Sequence, residues 1–600
     1  MTQKQIIDKY KHQLADYTKE LNYFKNKSRL VSIIRLLVFV LGIITFYFLL
    51  KTSLLIIFLF SLIFIITFLL LVKMSSNVSN KIKYLRIIID IIKNEINAIN
   101  GNQKYFYNGQ KYINKYHDFT FDLDIFGENS IFQLINRTVT KKGEKILAEW
   151  FSNPYFEKQE IINKQETIKE VSSKINFIQK FITLSLFNKT NKINFNDTVA
   201  WLESTNNIFD NKLVNAISKI LMIINISVLF LVIFSVINIT FFIISFLFTL
   251  FFEGFFIKKI FKSHTDLSLK IKAFKAYADL LILVENENFK NKSLIDMQKK
   301  LTINEQKASQ TLQKFLKLNN SLDSSKNILL GVILNGIFLW DLNLVIAIEK
   351  YKKKYSQYFI KCLDIISELD AIISLSTFAY NYPHYTFPMI FNDESFILDA
   401  ENIAHPLIYT DNRVANNFNI SNLGEIKIIT GANMAGKSTF LRTIGVNIVL
   451  AYIGLPVCAD KLKISKIKLF TSMRTSDDLA KKTSYFHAEL LRLKQLNNDL
   501  LNNEKVFIIL DEILKGTNSI DKERGSKAFL EKIIKFKISG IVATHDLSLG
   551  SLETEHPDNF KNMSFDVDFK DDKIIFDYKL KKGITTKMNA YFLMKKMKLI

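Results

Sequence analysis

Glu425-Ile-Lys-Ile-Ile-Thr430-Gly-Ala-Asn-Met-Ala-Gly436-Lys-Ser-Thr439 decides the fold of the last third of this 600-residue chain. An apolar strand runs into Gly431-Ala432-Asn433-Met434-Ala435-Gly436-Lys437-Ser438, which satisfies G-x-x-x-x-G-K-[ST], and a helix follows. Glycines let such a loop curl until its N–H groups and the helix N-terminus face phosphate. Lys437 then supplies positive charge to the β and γ phosphates, while Ser438, beside Thr439 at the helix start, ligates magnesium. The expected ligands are ATP and Mg2+.

Downstream, Val506-Phe-Ile-Ile-Leu510 is a strand suited to the middle of a sheet, and it ends in Asp511 and Glu512. Behind a phosphate loop, Asp511 is expected to hold the magnesium through water and Glu512 to orient or deprotonate the attacking water. Ile541-Val-Ala-Thr544 ends in His545, at the strand end where ligands of parallel sheets bind, so His545 is expected to sense the γ-phosphate. After Pro383 the runs Ile426–Thr430, Val506–Leu510 and Gly540–Thr544 alternate with helical stretches, which reads as an α/β domain with a largely parallel sheet.

Thr430–Arg442, Thr475–Ala480, Ser484-Tyr-Phe-His-Ala-Glu489, Leu510-Asp-Glu-Ile-Leu-Lys-Gly-Thr517 and Ala543-Thr-His545 resemble, in order and spacing, the ATPase motifs of the MutS family. His405-Pro-Leu-Ile408 is similar to that family's entry to the nucleotide pocket, with Asn416 near the adenine. Glu368–Leu375, Tyr385–Pro388 and Ser130–Trp150 extend the resemblance over most of residues 120–600. It implies an ABC-like P-loop ATPase of the MutS type, a homodimer in which Ser484 reaches the partner's γ-phosphate, and helical levers that transmit dimer geometry. Two departures stand out. An apolar hairpin occupies the place of the mismatch-sensing module and its Phe-x-Glu wedge, and a second interrupts the lever where the family inserts its DNA clamp. Phe126-Gly-Glu128 fits the wedge's letters, but falls at the start of the core-like segment.

Those hairpins are read from hydropathy. Thr52–Val72 is 21 uncharged residues, enough for a helix of roughly 31 Å. Leu36–Leu50 precedes it, with Lys51, Thr52 and Ser53 as the turn. Ile220–Phe252 carries no charge over 33 positions, too long for one span, so a hairpin turning near Asn238 is expected. Lys25, Lys27, Arg29, Lys73, Lys81 and Lys83 flank the first, and Lys219, Lys258, Lys259 and Lys262 the second, which by the positive-inside rule makes both ends cytoplasmic. Asn327–Trp340, about 14 residues long, is expected to be a buried core helix.

Composition agrees with a largely helical chain: hydrophobic residues make up 48%, with only 18 Gly and 6 Pro. The net charge of +23 suits nucleic acid or an anionic membrane surface. Cys362 and Cys458 show no metal-ligand spacing, which fits a reducing compartment, and Met1–Leu30 lacks the pattern of a cleaved signal peptide.

The expected organisation is a cytoplasmic N-terminal helix (1–29), a transmembrane hairpin (30–73), a helical connector (74–120), a first core and lever part (121–212), a second hairpin (213–258), a second lever and core part (259–388) and the ATPase unit (389–600). The mostly helical core and lever region thus precedes the α/β unit. The expected function is a multi-pass protein of the inner, cytoplasmic membrane with its ATPase in the cytosol, coupling ATP hydrolysis in a dimer to lever movement. Membrane lipid, DNA and an unidentified protein are the partner classes. The rivals are a tethered repair protein that binds mismatched or branched DNA and an ABC-like transporter ATPase, the latter disfavoured by four spans without an evident polar pathway.

Overall fold

The computed structural model describes residues 2–154, 157–188, 195–204, 209, 211–303, 305–323, 328–391, 396–474, 485–501, 505–570 and 573–585. Ser484 and the Thr475–Ala480 motif lie outside the described residues.

Helix α1 (Gln3–Leu49) begins at a capping box in which Gln5 N donates to Thr2 Oγ1 and Thr2 N to Gln5 Oε1. Helix α2 (Leu54–Ile99) returns after a turn that includes Lys51, Thr52 and Ser53. Each is about 70 Å long at 1.5 Å per residue, so the apolar and polar halves of each are one continuous rod. The apolar halves meet at Gly42, where a Cβ would come within 2.1 Å of the Phe64 ring, and at the Phe39–Phe68 pair. Their outer faces are bare, with Leu36 63% and Leu54 84% exposed. The polar halves instead bury Ile6, Tyr10, Ile88 and Ile92 together.

The second apolar unit consists of α3 (Lys212–Ile233) and α4 (Ile239–Gly254), with Asn238 capping α4 through the Thr240 N–H. Helix α5 (Ile328–Phe338) lies against α4 at Gly336, where a Cβ would meet the Phe246 ring at 2.1 Å. The expectation of a buried core helix at Asn327–Trp340 is corrected here, because Leu330, Val332 and Ile333 are exposed. Length misled the reading: α5 is short, but it joins α6 (Trp340–Asn381) across a 72° bend next to Leu339, whose φ is +42°, and so extends the apolar surface of its neighbours. Asn225 joins the three short helices, donating to Thr249 Oγ1 (2.6 Å) and to the Gly336 carbonyl (3.0 Å). Among the described residues α1, α2 and α3 are each long and apolar enough to cross a membrane, while α4 qualifies only together with Ile257–Ser263 beyond a 61° bend.

Helix α6 is the axis of the body, 42 residues and about 63 Å long. Near its far end Asp370 accepts hydrogen bonds from Val139 N, Thr140 N and Thr140 Oγ1, fixing the first core segment to the rod. At its tip Asn381 accepts from Tyr10 Oη (2.9 Å) and donates to Glu95 Oε2 (2.8 Å), and Glu95 forms a two-armed ion pair with Arg137 at 2.5 and 3.1 Å. Both legs of the N-terminal hairpin are therefore locked to the core. Phe126 packs within that core against Tyr112 and Phe132, so the Phe-Gly-Glu letters there do not form a projecting wedge.

The C-terminal unit contains β1 (Met389–Phe391), β2 (Leu398–Ile403), β3 (Asn416–Ile420), β4 (Ile426–Gly431), helix α7 (Lys437–Tyr452), β5 (Lys461–Ser465), β6 (Lys468–Ser472), helix α8 (Tyr485–Leu501), β7 (Val506–Asp511), β8 (Ser539–Thr544), β9 (Phe560–Lys570) and β10 (Lys573–Lys582). The main sheet has the order β10-β9-β4-β8-β7-β6, parallel throughout except for the β9–β10 pair. A second sheet, β1-β5-β2-β3, packs beside it. Register does the positioning: Thr430 pairs with Thr544, and Ala543 with Asp511. Residues following β4, β8 and β7 must therefore emerge side by side on one edge, with His545 between the 431–438 loop and Glu512.

Candidate nucleotide site

A cavity of about 800 Å³ opens at that edge, lined by Ala432 through Thr439, His405, Asn416, Glu512, His545, Phe576 and Tyr578. Gly431 closes β4 where a Cβ would come within 2.7 Å of the Phe565 carbonyl, so only glycine allows β9 so near. Gly436 has φ +103° and precedes the first residue of α7, a conformation other residues adopt at a cost. Met434, at φ +66°, carries that cost and stands 76% exposed at the loop's tip.

Lys437 folds back over its own loop, donating to the Gly431 carbonyl (2.7 Å) and the Ala432 carbonyl (3.0 Å), with His545 Nε2 3.3 Å away. Burial lowers its ammonium to about 8, against the opposing pull of Asp511 and Glu512. Ser438 Oγ donates to Asp511 Oδ2 at 2.6 Å, while Asp511 Oδ1 is buried and has no hydrogen-bond partner among the described residues. A hydroxyl beside a carboxylate with one oxygen left over is an oxygen donor set that fits a hard cation such as Mg2+.

Glu512 leaves β7 in the left-handed region, φ +52°, while its N–H still pairs with the Ala543 carbonyl (2.8 Å). Its Oε1 lies 3.2 Å from His545 Nε2. The hydrogen bond from His545 is the main reason its carboxyl falls to about 2, with burial opposing and Lys515 assisting. A proton on Nε2 binds the ring to Glu512; without one, the same nitrogen accepts from Lys437. His405, at the cavity's other end, is depressed to about 4 by burial and by Arg442. Asn416 lines the cavity, but its amide staples β3 to β10, donating to the Tyr578 carbonyl (3.0 Å) and accepting from Leu580 N (2.9 Å).

Three features escaped the sequence reading. Phe576 and Tyr578 stack at 5.8 Å along the cavity wall, and Tyr578 comes within 3.0 Å of where a Cβ on Gly436 would sit; an alternating strand with two aromatics carries no distinguishing signal. Arg442, one turn after Ser438, donates to the Asp122 carbonyl (3.1 Å), and Asp122 in turn accepts from Thr471 Oγ1, Met473 N and Arg474 N, so the helix behind the phosphate loop is linked to the core segment. Finally Glu489, on α8, accepts from Leu514 N (2.6 Å) and Lys515 N (3.1 Å), anchoring the loop that carries Glu512. Each such charged hydrogen bond contributes about 1.5–3 kcal/mol. Glu489→Ala is therefore expected to loosen the loop after β7, seen as faster amide hydrogen exchange over 512–517 with the rest of the sheet unchanged.

Comparison with known proteins follows the same division. The family model of MutS domain V matches residues 427–595 and that of MutS domain III residues 120–376, the latter match running across α3 and α4. A DNA mismatch repair protein MSH3 of Vanderwaltozyma polyspora is 33% identical over 251 residues, covering 39% of this chain and 24% of that protein. The DNA mismatch repair proteins MutS of Thermotoga maritima and Protochlamydia amoebophila are 31% and 34% identical, each over 39% of this chain and over 29% and 28% of their own lengths. The aligned part thus spans less than a third of each of these relatives. With two MutS domains matched in order over most of the sequence from residue 120 onward, the chain belongs to the MutS family.

Proposed function

We propose that this chain is a membrane-embedded, Mg2+-dependent ATPase that works as a dimer and couples hydrolysis at the 431–439 loop to movement of its helical body. The observation that carries the reading is the convergence of Lys437, Ser438, Asp511, Glu512 and His545 on one sheet edge. Arriving phosphates take Lys437 from the Gly431 and Ala432 carbonyls. Ser438 and Asp511 would hold Mg2+, which supplies charge neutralisation across the β and γ phosphates. While His545 holds it, Glu512 is ionised but weakly basic; a γ-phosphate that draws His545 away raises its basicity at the moment water must be oriented. Ser484, as the resemblance implies, reaches the partner's γ-phosphate.

Membrane residence rests on the bare apolar faces of α1 to α4 and on the cationic residues at one end of each hairpin. The ATPase then lies in the cytosol, and α6, α1 and α2 carry motion between it and the hairpins. The full chain is expected to stay in the membrane pellet after alkaline washing. Release into the supernatant would count against the spans.

The net charge of +23 and the names of the relatives favour a second reading, in which the chain is a tethered DNA-binding repair protein. Duplex, mismatched or branched DNA retained by detergent-solubilised chain, with affinity falling steeply as salt rises, would favour it.

A further inference from the structure

We propose that the cleft between the legs of the first hairpin binds the phosphate of an anionic phospholipid. The inference rests on the membrane reading above. Where the apolar halves of α1 and α2 give way to their polar halves, the helices part around a cavity of about 370 Å³, in the range of small-ligand sites. Its position matters: Leu70 and Met74, both exposed, supply apolar wall, Leu70 on the side of the apolar half of α2, while Lys27, Lys73 and Asn77 line the rest. Val78, buried, and Phe24 complete the lining, with Lys27 Nζ 6.0 Å from the Phe24 ring centre.

Charge selects the ligand. Among the described residues no carboxylate lines the cavity, and neither Lys27 nor Lys73 forms an ion pair. Two cations further along α2 are committed elsewhere: Lys81 to Glu20 at 3.0 Å, and Lys83 to the Phe187 carbonyl at 2.7 Å. Two ammonium groups and an amide beside an apolar wall match a phosphodiester with an acyl chain attached. A soluble phosphate would use the cations but leave the wall bare. The headgroup would sit between Lys27 and Lys73, with the chain running out over Leu70.

The probe is labelled phosphatidylglycerol in phosphatidylcholine vesicles containing the full chain, its retention measured after detergent extraction. Lys27→Gln and Lys73→Gln each remove one charge-assisted contact to the phosphate, so each is expected to weaken retention about tenfold and the pair roughly 100-fold. Lys25→Gln with Arg29→Gln, exposed cations that do not line the cavity, should leave it unchanged. Equal loss in that control would reduce the effect to the general attraction of a basic girdle and overturn the site. So would no retention by inserted wild-type chain, or displacement of the lipid by inorganic phosphate. Failure to insert into these vesicles would remove the membrane reading and the site with it.

Discussion

Glu512→Gln is expected to bind ATP as the native chain does and to turn it over about 10²- to 10⁴-fold more slowly, the contribution of a positioned general base. The amide keeps the volume and still accepts from His545, so the cavity and the Lys437–Ser438 end are preserved. It cannot take a proton from water. Lys437→Ala should behave oppositely, weakening binding itself, because it removes the ammonium now spanning Gly431, Ala432 and His545. Equilibrium binding of Mg·ATP beside single-turnover hydrolysis separates the two. Equal loss of binding in both variants would reverse the roles.

The other large effect lies far from the nucleotide. Arg137 and Glu95 are both buried, and their ion pair joins α2 to the core while Asn381 joins it to α6. Removing one partner leaves an uncompensated buried charge, so Arg137→Ala is expected to cost about 3–5 kcal/mol. Denaturation in detergent should show the loss, and limited proteolysis should find the junction of α2 with the body newly open. Replacing both partners, Glu95→Leu with Arg137→Met, should recover much of the stability, because no charge is then stranded. A loss below about 1 kcal/mol in the single variant would mean that the pair is solvated as a surface bridge would be.

That the 431–438 loop, Asp511, Glu512 and His545 meet at one sheet edge was legible because each follows an apolar run that marks a parallel strand. Val506–Leu510 and Gly540–Thr544 recur almost unchanged as β7 and β8. Both hairpin turns were also legible, since hydropathy is interrupted there by polar residues. What stayed hidden depends on distant pairing. Glu489 closes the Ser484–Glu489 motif, yet the backbone it meets lies 25 residues away, and nothing in that motif names the loop it holds. The β1-β5-β2-β3 sheet is built of strands of three to six residues, too short for periodicity to separate them from loops. Helix α5 failed for another reason: a length rule for single spans says nothing of a helix that leans on a neighbouring hairpin.

Flotation of the purified full chain with liposomes, followed by Mg2+-dependent ATP hydrolysis in each gradient fraction, tests the central claim most directly. Hydrolysis is expected to rise with the lipid, and to be absent when Lys437→Ala is reconstituted in the same way. Activity that remains at the bottom of the gradient, or that persists in the Lys437→Ala protein, would contradict the account.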